Sequence, residues 1–383
     1  MCEIMIKNFV SDPHNIKLVG NFFNKKLFSS ISTNYPVVIV TDFQVAEAIL
    51  PPVLDFIRSL GYKVVPLSFP SGEINKTWEV FISLQNQLVD QDVPLGSTII
   101  GIGGGIVLDM AGFLASTYCR GVPLFLVPTT MTAMIDACIG GKNGINLRGF
   151  KNRLGTFYLP KDVWVCPEFL STLPKKEWFY GISEAIKHGC IADAYILDFL
   201  QNHSEMLFSS REILSEFIKR NCLVKAAIVA KDPHDKHLRK ILNFGHTIAH
   251  AIETLSQGHL PHGLAVSLGM MIETKISLES GIMKNLSLLE QLHHLYKRFH
   301  LPTTLEELRD LIPQHLHNEF YNPENIIHAL GYDKKNLSKK AIRMVMIEHL
   351  GRAASCNGIY CTVPKMDILY KTLKSECYAM CNN

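Results

Sequence analysis

The segment Leu242–His250, LNFGHTIAH, sets His246 and His250 one helical turn apart, and His262 follows sixteen residues after His246. Upstream, Glu184 and Lys187 stand three apart in SEAIKHG. On helices, such spacings bring carboxylate and imidazole to one face with a lysine beside them. Zinc accepts N and O donors of this kind, and a catalytic zinc commonly takes three protein ligands and keeps one position open. With 16 histidines in the chain, spacing alone does not choose among His246, His250 and His262. The segment is not HExxH, so it carries no metalloprotease base. Lys225, Arg239 and Asn243 lie just upstream, and none is a typical core residue. Lys225 falls on the apolar stripe of Leu214, Phe217, Ile218, Ile228 and Val229. It either snorkels to water or faces a cleft that holds an anion.

A second set of residues suits a phosphate-bearing cofactor. Gly101–Asp109, GIGGGIVLD, follows a strand and opens a helix. Glycines there let backbone N–H groups approach a pyrophosphate, and a helix N-terminus favours the anion. Ile106 departs from GxGxxG, so the motif by itself also fits an ordinary tight turn. The polar turn Ser71-Gly72-Glu73-Ile74-Asn75-Lys76 is expected at the same sheet edge. Asp136 sits in apolar MTAMIDACIGG, where a carboxylate is costly unless paired. Lys142, Lys151 and Asn152 surround several glycines, which reads as a flexible basic loop suited to phosphate or carboxylate.

The elements that must carry these residues alternate strand and helix in the first half. Strands are expected at Pro36–Thr41, Lys63–Phe69, Ser97–Ile102 and Pro123–Val127, with a helix over Phe43–Leu60 interrupted at Pro51-Pro52. Val80, Phe81, Leu84 and Leu88 share a helical face. This alternation predicts a Rossmann-like, mostly parallel sheet. After about Pro174 helical periodicity dominates to roughly Leu316, and Ile342–Ile347 reads as a late extended segment. Two domains follow: an α/β cofactor domain over 1–174, and a mainly helical metal- and substrate-binding domain over 175–383.

Composition narrows the function. With 47% hydrophobic and 19% charged residues, the 383-residue chain reads as globular. A net charge of +3 with no run of five Lys/Arg gives no nucleic-acid footprint. No apolar run approaches membrane-spanning length, and MCEIMIKNFVSDPHN lacks an apolar signal core. The ten cysteines form no CxxC. Cys119, Cys138, Cys166, Cys190 and Cys222 read as small core residues of a reduced, cytoplasmic enzyme.

Taken in order, GGGIVLDMAGFLASTYCRGVP, PTTMTAMIDACIGGKNGIN, FKN, STLP, SEAIKHG, LNFGHTIAHAIE and HGLAVSLGM closely resemble the 3-dehydroquinate synthase family, from about Thr41 to Leu350. The resemblance implies conversion of 3-deoxy-D-arabino-heptulosonate 7-phosphate to 3-dehydroquinate and phosphate, with NAD and a divalent metal, Zn2+ or Co2+, in a homodimer. It implies Glu184, His246 and His262 as metal ligands, which moves His250 to the substrate site. Arg120, Asp136, Lys142, Asn152, Lys187, Lys225, Arg239, Asn243 and His250 match the family's active-site positions, as does Lys334 or Lys335. Asp42, Ser71, Gly72, Glu73, Ile74, Asn75, Lys76, Gly105, Ile106, Val107, Leu108, Asp109, Thr129, Thr130, Lys142, Lys151, Phe169, Leu170, Ser171 and Thr172 match its NAD contacts.

The implied cycle is oxidation, phosphate elimination, reduction, ring opening and aldol closure, with no net consumption of NAD. The chain departs from the family pattern at Cys166 (usually Asp), Phe150 (usually Gly), Asn143 (usually Thr) and Ile248-Ala249 (usually Phe-Gly). Other sugar-phosphate cyclases and the iron-activated alcohol or glycerol dehydrogenases are the competing classes. Asn243, His250 and the Lys334-Lys335 pair favour the dehydroquinate synthases.

Overall fold

The computed structural model describes residues 2–6, 14–148, 150–331 and 342–378. The chain forms two compact units: residues 1–178 with 214–233, and residues 179–213 with 234–383.

Among the described residues, the first unit is built on a sheet of seven strands. These are β1 (Cys2–Ile6), β2 (His14–Leu18), β3 (Val37–Asp42), β4 (Val64–Phe69), β5 (Thr98–Gly103), β6 (Leu124–Pro128) and β9 (Asp162–Val165). Their order is β1-β2-β9-β6-β5-β3-β4. Only the β1–β2 pairing is antiparallel. VVIVTD, TIIGIG and LFLVP are nearly continuous apolar runs because strands at the centre of a parallel sheet are covered on both faces.

Helices α1 (Phe43–Ser59), α2 (Trp78–Asp90) and α3 (Gly105–Thr117) connect the strands. Phe81, Leu84 and Leu88 of α2 are buried, and Val80 is half-buried. α1 runs on through Pro51-Pro52, where an interruption was expected. Both prolines lie on its exposed side, so the helix continues despite two missing N–H donors.

The four expected strands are present, each displaced by about one residue. β1, β2 and β9 escape the sequence reading because HNIKL is polar and DVWV is only four residues long. The expected flexible loop around Lys142 and Lys151 is instead an antiparallel hairpin, β7 (Lys142–Leu147) with β8 (Phe150–Phe157). Asn143 helps to set it: its Nδ2 donates to the carbonyls of Gly141 (2.9 Å) and Tyr158 (3.0 Å).

The second unit is mainly helical. It contains most of α4 (Lys175–Ile191), then α5 (Tyr195–His203), α7 (His246–Leu255), α8 (His262–Glu279), α9 (Ser287–Arg298), α10 (His317–Phe320), α11 (Pro323–Leu330) and α12 (Met366–Tyr378). A short pair, β10 (Ile347–His349) with β11 (Arg352–Ala353), falls at the end of the expected extended segment. α8 is buried along almost its whole length. Its hydroxyls are satisfied inside the helix: Ser267, Thr274 and Ser277 each donate to the carbonyl four residues back at 2.7 Å.

The cut after Pro174 differs from this division in one main respect. Residues 214–233, most of α6 (Arg211–Lys231), group with the α/β unit. Lys225 pairs there with Asp136, and the Cys222 thiol donates to the Met134 carbonyl at 3.3 Å. Such ties depend on tertiary pairing, which helical periodicity does not report. No described helix is long and apolar enough to cross a membrane. Cys138, Cys166, Cys190 and Cys222 are buried as expected, but Cys119 is exposed, in a left-handed stretch with φ +49°.

Candidate metal centre and cofactor turn

In the helical unit, α4, α7 and α8 bring three donors together. Glu184 is fully buried on α4; His246 and His262 are the first residues of α7 and α8. The two Nε2 atoms approach one oxygen, Glu184 Oε1, at 3.5 and 3.4 Å. All three donor atoms lie within 4.8 Å of one another. Two imidazole nitrogens and a carboxylate match the donor set of a catalytic zinc, so these residues fit a divalent ion. His250, one turn along α7, is not in that group; its ring centroid is 5.6 Å from that of His246 and 6.4 Å from that of His262.

Electrostatics suit the group. Both helices begin here, and their positive ends favour an anion such as Glu184. Burial alone would raise the Glu184 carboxyl, but Lys187 and the two imidazoles hold it well below the usual carboxylate range. Lys187 is itself buried and paired with Glu184. Burial pushes His246 down to about 4 against the pull of Glu184. Partial desolvation opposes protonation of the His262 ring, which is 41% exposed, yet Glu253 and Glu184 together hold it up to about 10.

Local packing fixes where α7 starts. Gly245 has φ +79°, a conformation that favours glycine. A Cβ on Gly269 of α8 would come within 2.0 Å of the Gly245 carbonyl oxygen, so the two helices cross backbone to backbone. Glu273, fully buried on α8, accepts from the Gly245 N–H at 2.7 Å and the Ile248 N–H at 3.3 Å. A buried carboxylate thus caps the helix that carries His246. Gly269→Ala is therefore expected to cost about 1–3 kcal/mol by overpacking. It should lower both the thermal midpoint and metal affinity. Differential scanning calorimetry and a metal titration check this; unchanged values would mean that the crossing relaxes freely.

In the α/β unit, the strand order reverses direction between β3 and β5, the switch point at which such sheets bind ligands beyond their carboxyl ends. Asp42 ends β3 and caps α1, accepting from the Val45 N–H at 2.9 Å. Gly103 ends β5, and a Cβ there would meet Val107 at 2.6 Å, so α3 starts hard against the strand. No side chain caps α3, and Val107 and Leu108 point into the core; the turn presents backbone N–H groups.

Lys76, only 4% exposed, ties the surroundings together. Its Nζ donates to Asp109 Oδ2 and to Asn152 Oδ1, both at 2.5 Å. Asp109 is raised by burial, which Lys76 only partly offsets. Asn146 joins the hairpin to this turn, donating to Glu73 Oε1 (2.8 Å) and accepting from the Asn152 N–H (2.8 Å). Ser71 accepts from the Gln44 N–H at 3.1 Å, Ile74 is exposed, and Thr130 accepts from the Ala133 N–H at 3.2 Å.

Not every expected contact is gathered here. Phe169 and Leu170 are buried in the core, leaving Ser171 and Thr172 exposed. Lys142 and Lys151 are exposed at opposite ends of the hairpin. Arg120 is exposed beyond the end of α3, shortly before β6 begins, and so at the opposite sheet edge from Asp42 and Gly105. Elsewhere in the unit, Lys225 Nζ donates to Asp136 Oδ1 at 2.8 Å and to its backbone carbonyl at 2.5 Å. In the helical unit, Arg239 is 3% exposed, and Asn243 Nδ2 donates to the Lys240 carbonyl at 3.1 Å. Lys334 and Lys335 lie outside the described residues. Sequence reasoning missed Asn146, Glu253 and Glu273; the one available signal was that His246, His250 and Glu253 share a face of α7.

This arrangement, a parallel sheet with a glycine turn at its switch point and a helical unit, is a fold that the chain shares with solved structures of a synthase and a dehydrogenase. A 2-deoxy-scyllo-inosose synthase solved with carbaglucose-6-phosphate, NAD+ and Co2+ has this fold, with TM-score 0.84 and 24% identity over 98% of this chain and 100% of that one. A glycerol dehydrogenase from Schizosaccharomyces pombe shares it at TM-score 0.63 and 18% identity, over 93% and 86% of the two chains.

The family models for the 3-dehydroquinate synthase N-terminal and C-terminal regions match residues 66–180 and 181–336. A 3-dehydroquinate synthase of Chlamydia abortus is 86% identical over 99% of this chain and its own full length. That of Chlamydia pneumoniae is 66% identical, over 98% and 99%. The chain belongs to the 3-dehydroquinate synthase family.

Proposed function

We propose that the chain is a phosphate-eliminating lyase that converts 3-deoxy-D-arabino-heptulosonate 7-phosphate to 3-dehydroquinate and phosphate. The observation that carries this reading is the convergence of Glu184, His246 and His262 in a chain 86% identical to a 3-dehydroquinate synthase. Glu184, His246 and His262 would hold Zn2+ or Co2+. Backbone N–H groups of Gly105–Asp109, with Asp42 and Ser71–Lys76, would hold NAD. When bound, the metal would acidify a substrate hydroxyl and NAD would accept and return a hydride.

The chain's own side chains supply the rest. Lys225, Arg239 and Lys142 are the cations for carboxylate and phosphate, with Lys225 held in place by Asp136. Lys187 keeps Glu184 ionised and therefore able to act as a ligand. Asn152 and Asn243 would orient polar groups of the substrate. His250 is a half-exposed imidazole next to the metal group, suited to moving a proton. Phosphate departure breaks a C–O bond and a neighbouring C–H bond; His250 or the departing phosphate itself takes the proton. Arg120, which matches an active-site position of the family, would grip an anionic group of the substrate bidentately. The family reading carries a homodimer in the cytoplasm.

The test is phosphate release from the heptulosonate phosphate, followed alongside absorbance of NADH. Continuous phosphate release with no accumulating NADH is expected, and glucose 6-phosphate and heptose 7-phosphate should not react. NADH rising in step with turnover would make the protein a simple dehydrogenase.

A further inference from the structure

Glu253 has no part in the chemistry above, yet it is 3% exposed on α7, where the outward-facing side of a helix would cost such a carboxylate nothing. Its Oε1 lies 3.0 Å from His262 Nδ1, on the side of the ring away from Glu184. An ionised carboxylate only accepts hydrogen bonds, so the ring donates from Nδ1. That leaves Nε2 turned to the Glu184 oxygen, 3.4 Å away. Further contacts hold this arrangement. Ser256 Oγ donates to the Glu253 carbonyl at 2.8 Å and accepts from the Leu260 N–H at 3.2 Å. The turn joining α7 to α8 is thereby pinned between Glu253 and His262.

His246 is oriented by a weaker device. Its Nδ1 lies 3.1 Å from the Phe244 carbonyl oxygen, a neutral acceptor on its own backbone. The ring of His262 needs more, because 41% of its side-chain surface is exposed, whereas only 12% of that of His246 is exposed.

We infer that Glu253 is a positioning residue of the metal centre: it fixes the orientation and tautomer of His262 and makes its Nε2 a stronger donor to a divalent ion. The inference rests on the reading that Glu184, His246 and His262 bind that ion. A carboxylate behind a ligating imidazole does both things, and its loss typically weakens metal binding about 10- to 100-fold.

The test uses the full chain stripped of metal by a chelator and titrated with Co2+, whose visible absorption reports affinity and ligand geometry. Glu253→Gln keeps the side chain's shape and removes its charge. A 10- to 100-fold weaker Co2+ affinity is expected, with the unfolding midpoint of the metal-free protein within a few degrees of the parent. Parent-like affinity overturns the inference. So does a weaker affinity accompanied by an equal loss of stability in the metal-free protein, because Glu253 would then only support the fold. His246→Ala, run alongside, separates the two claims: if it also binds Co2+ as the parent does, the metal reading itself fails. A measurement on the unaltered, zinc-loaded protein needs no variant. Histidine-selective 15N spectra should show the His262 proton on Nδ1, and a spectrum without it there overturns the inference.

Discussion

His246→Ala and His262→Ala are each expected to abolish turnover by emptying the metal site, whereas His250→Ala keeps the metal and loses rate. A four-ligand zinc site is worth about 10–16 kcal/mol, so one ligand shared evenly accounts for about 2.5–4 kcal/mol, or roughly a hundred- to a thousandfold in affinity. His246 and His262 are the two imidazoles whose Nε2 atoms face Glu184. His250 sits one turn further along α7, outside that group. Metal content after dialysis, measured by atomic emission beside phosphate release, distinguishes the three variants. A metal-free His250→Ala protein would mean that the HxxxH pair is the true ligand pair and that His262 belongs to the substrate. Chelation of the parent protein should likewise stop phosphate release, and added Zn2+ or Co2+ should restore it.

The parts of this molecule that were legible in the sequence are those set by local pattern. β3, β5 and β6 read plainly because parallel strands covered on both faces become continuous apolar runs. The GIGGGIVLD turn read plainly because α3 begins so close to β5 that a side chain at Gly103 has no room. What escaped depends on partners far away in sequence. β9 adds four residues to a sheet whose other strands define its place. The β7–β8 hairpin looked like a loop because its glycines and polar residues hide the alternation, while its register is set by Asn143 bonding to Gly141 and Tyr158. The grouping of residues 214–233 with the sheet turns on a lysine and an aspartate 89 positions apart.

The site divides the same way. The types and spacings of Glu184, Lys187, His246 and His262 announced metal chemistry, but spacing could not choose between His250 and His262. That choice depends on α7 and α8 starting at one point, which in turn depends on Glu273 and on the bare backbone contact at Gly245 and Gly269. Some departures from the family pattern also gain a physical account only in three dimensions. Asn143 packs so tightly on α3 that a Cβ on Gly112 would meet its Oδ1 at 1.8 Å, and Cys166 is wholly buried, where a thiol packs without needing a charge partner. Phe150 stands exposed at the hairpin turn, where the Arg153 guanidinium lies 5.9 Å from the centroid of its ring.

Lys225→Ala is expected to lose roughly ten- to a hundredfold in kcat/KM and, unlike a surface lysine, to lose stability as well. The sequence placed this lysine on an apolar stripe with two outcomes open, water or an anion. The structure places it at 6% exposure with its ammonium on Asp136, so it does not snorkel. Alanine fits the stripe, and on packing grounds alone the fold would tolerate it. The cost comes from what is left behind: the Asp136 carboxylate and its backbone carbonyl both lose a charged donor. A hydrogen bond to a charged group is worth about 1.5–3 kcal/mol, and stranding its partner in a poorly solvated place costs a comparable amount. If the lysine also holds the substrate's anionic group, transition-state binding falls by a similar increment, which gives the stated range. Asp136→Asn with Lys225→Met separates the contributions. That pair removes both charges together, so it should recover the thermal midpoint while turnover stays low. Recovery of both would show that Lys225 serves only the fold, and the substrate's anion would then have to be held by Arg239 and Lys142.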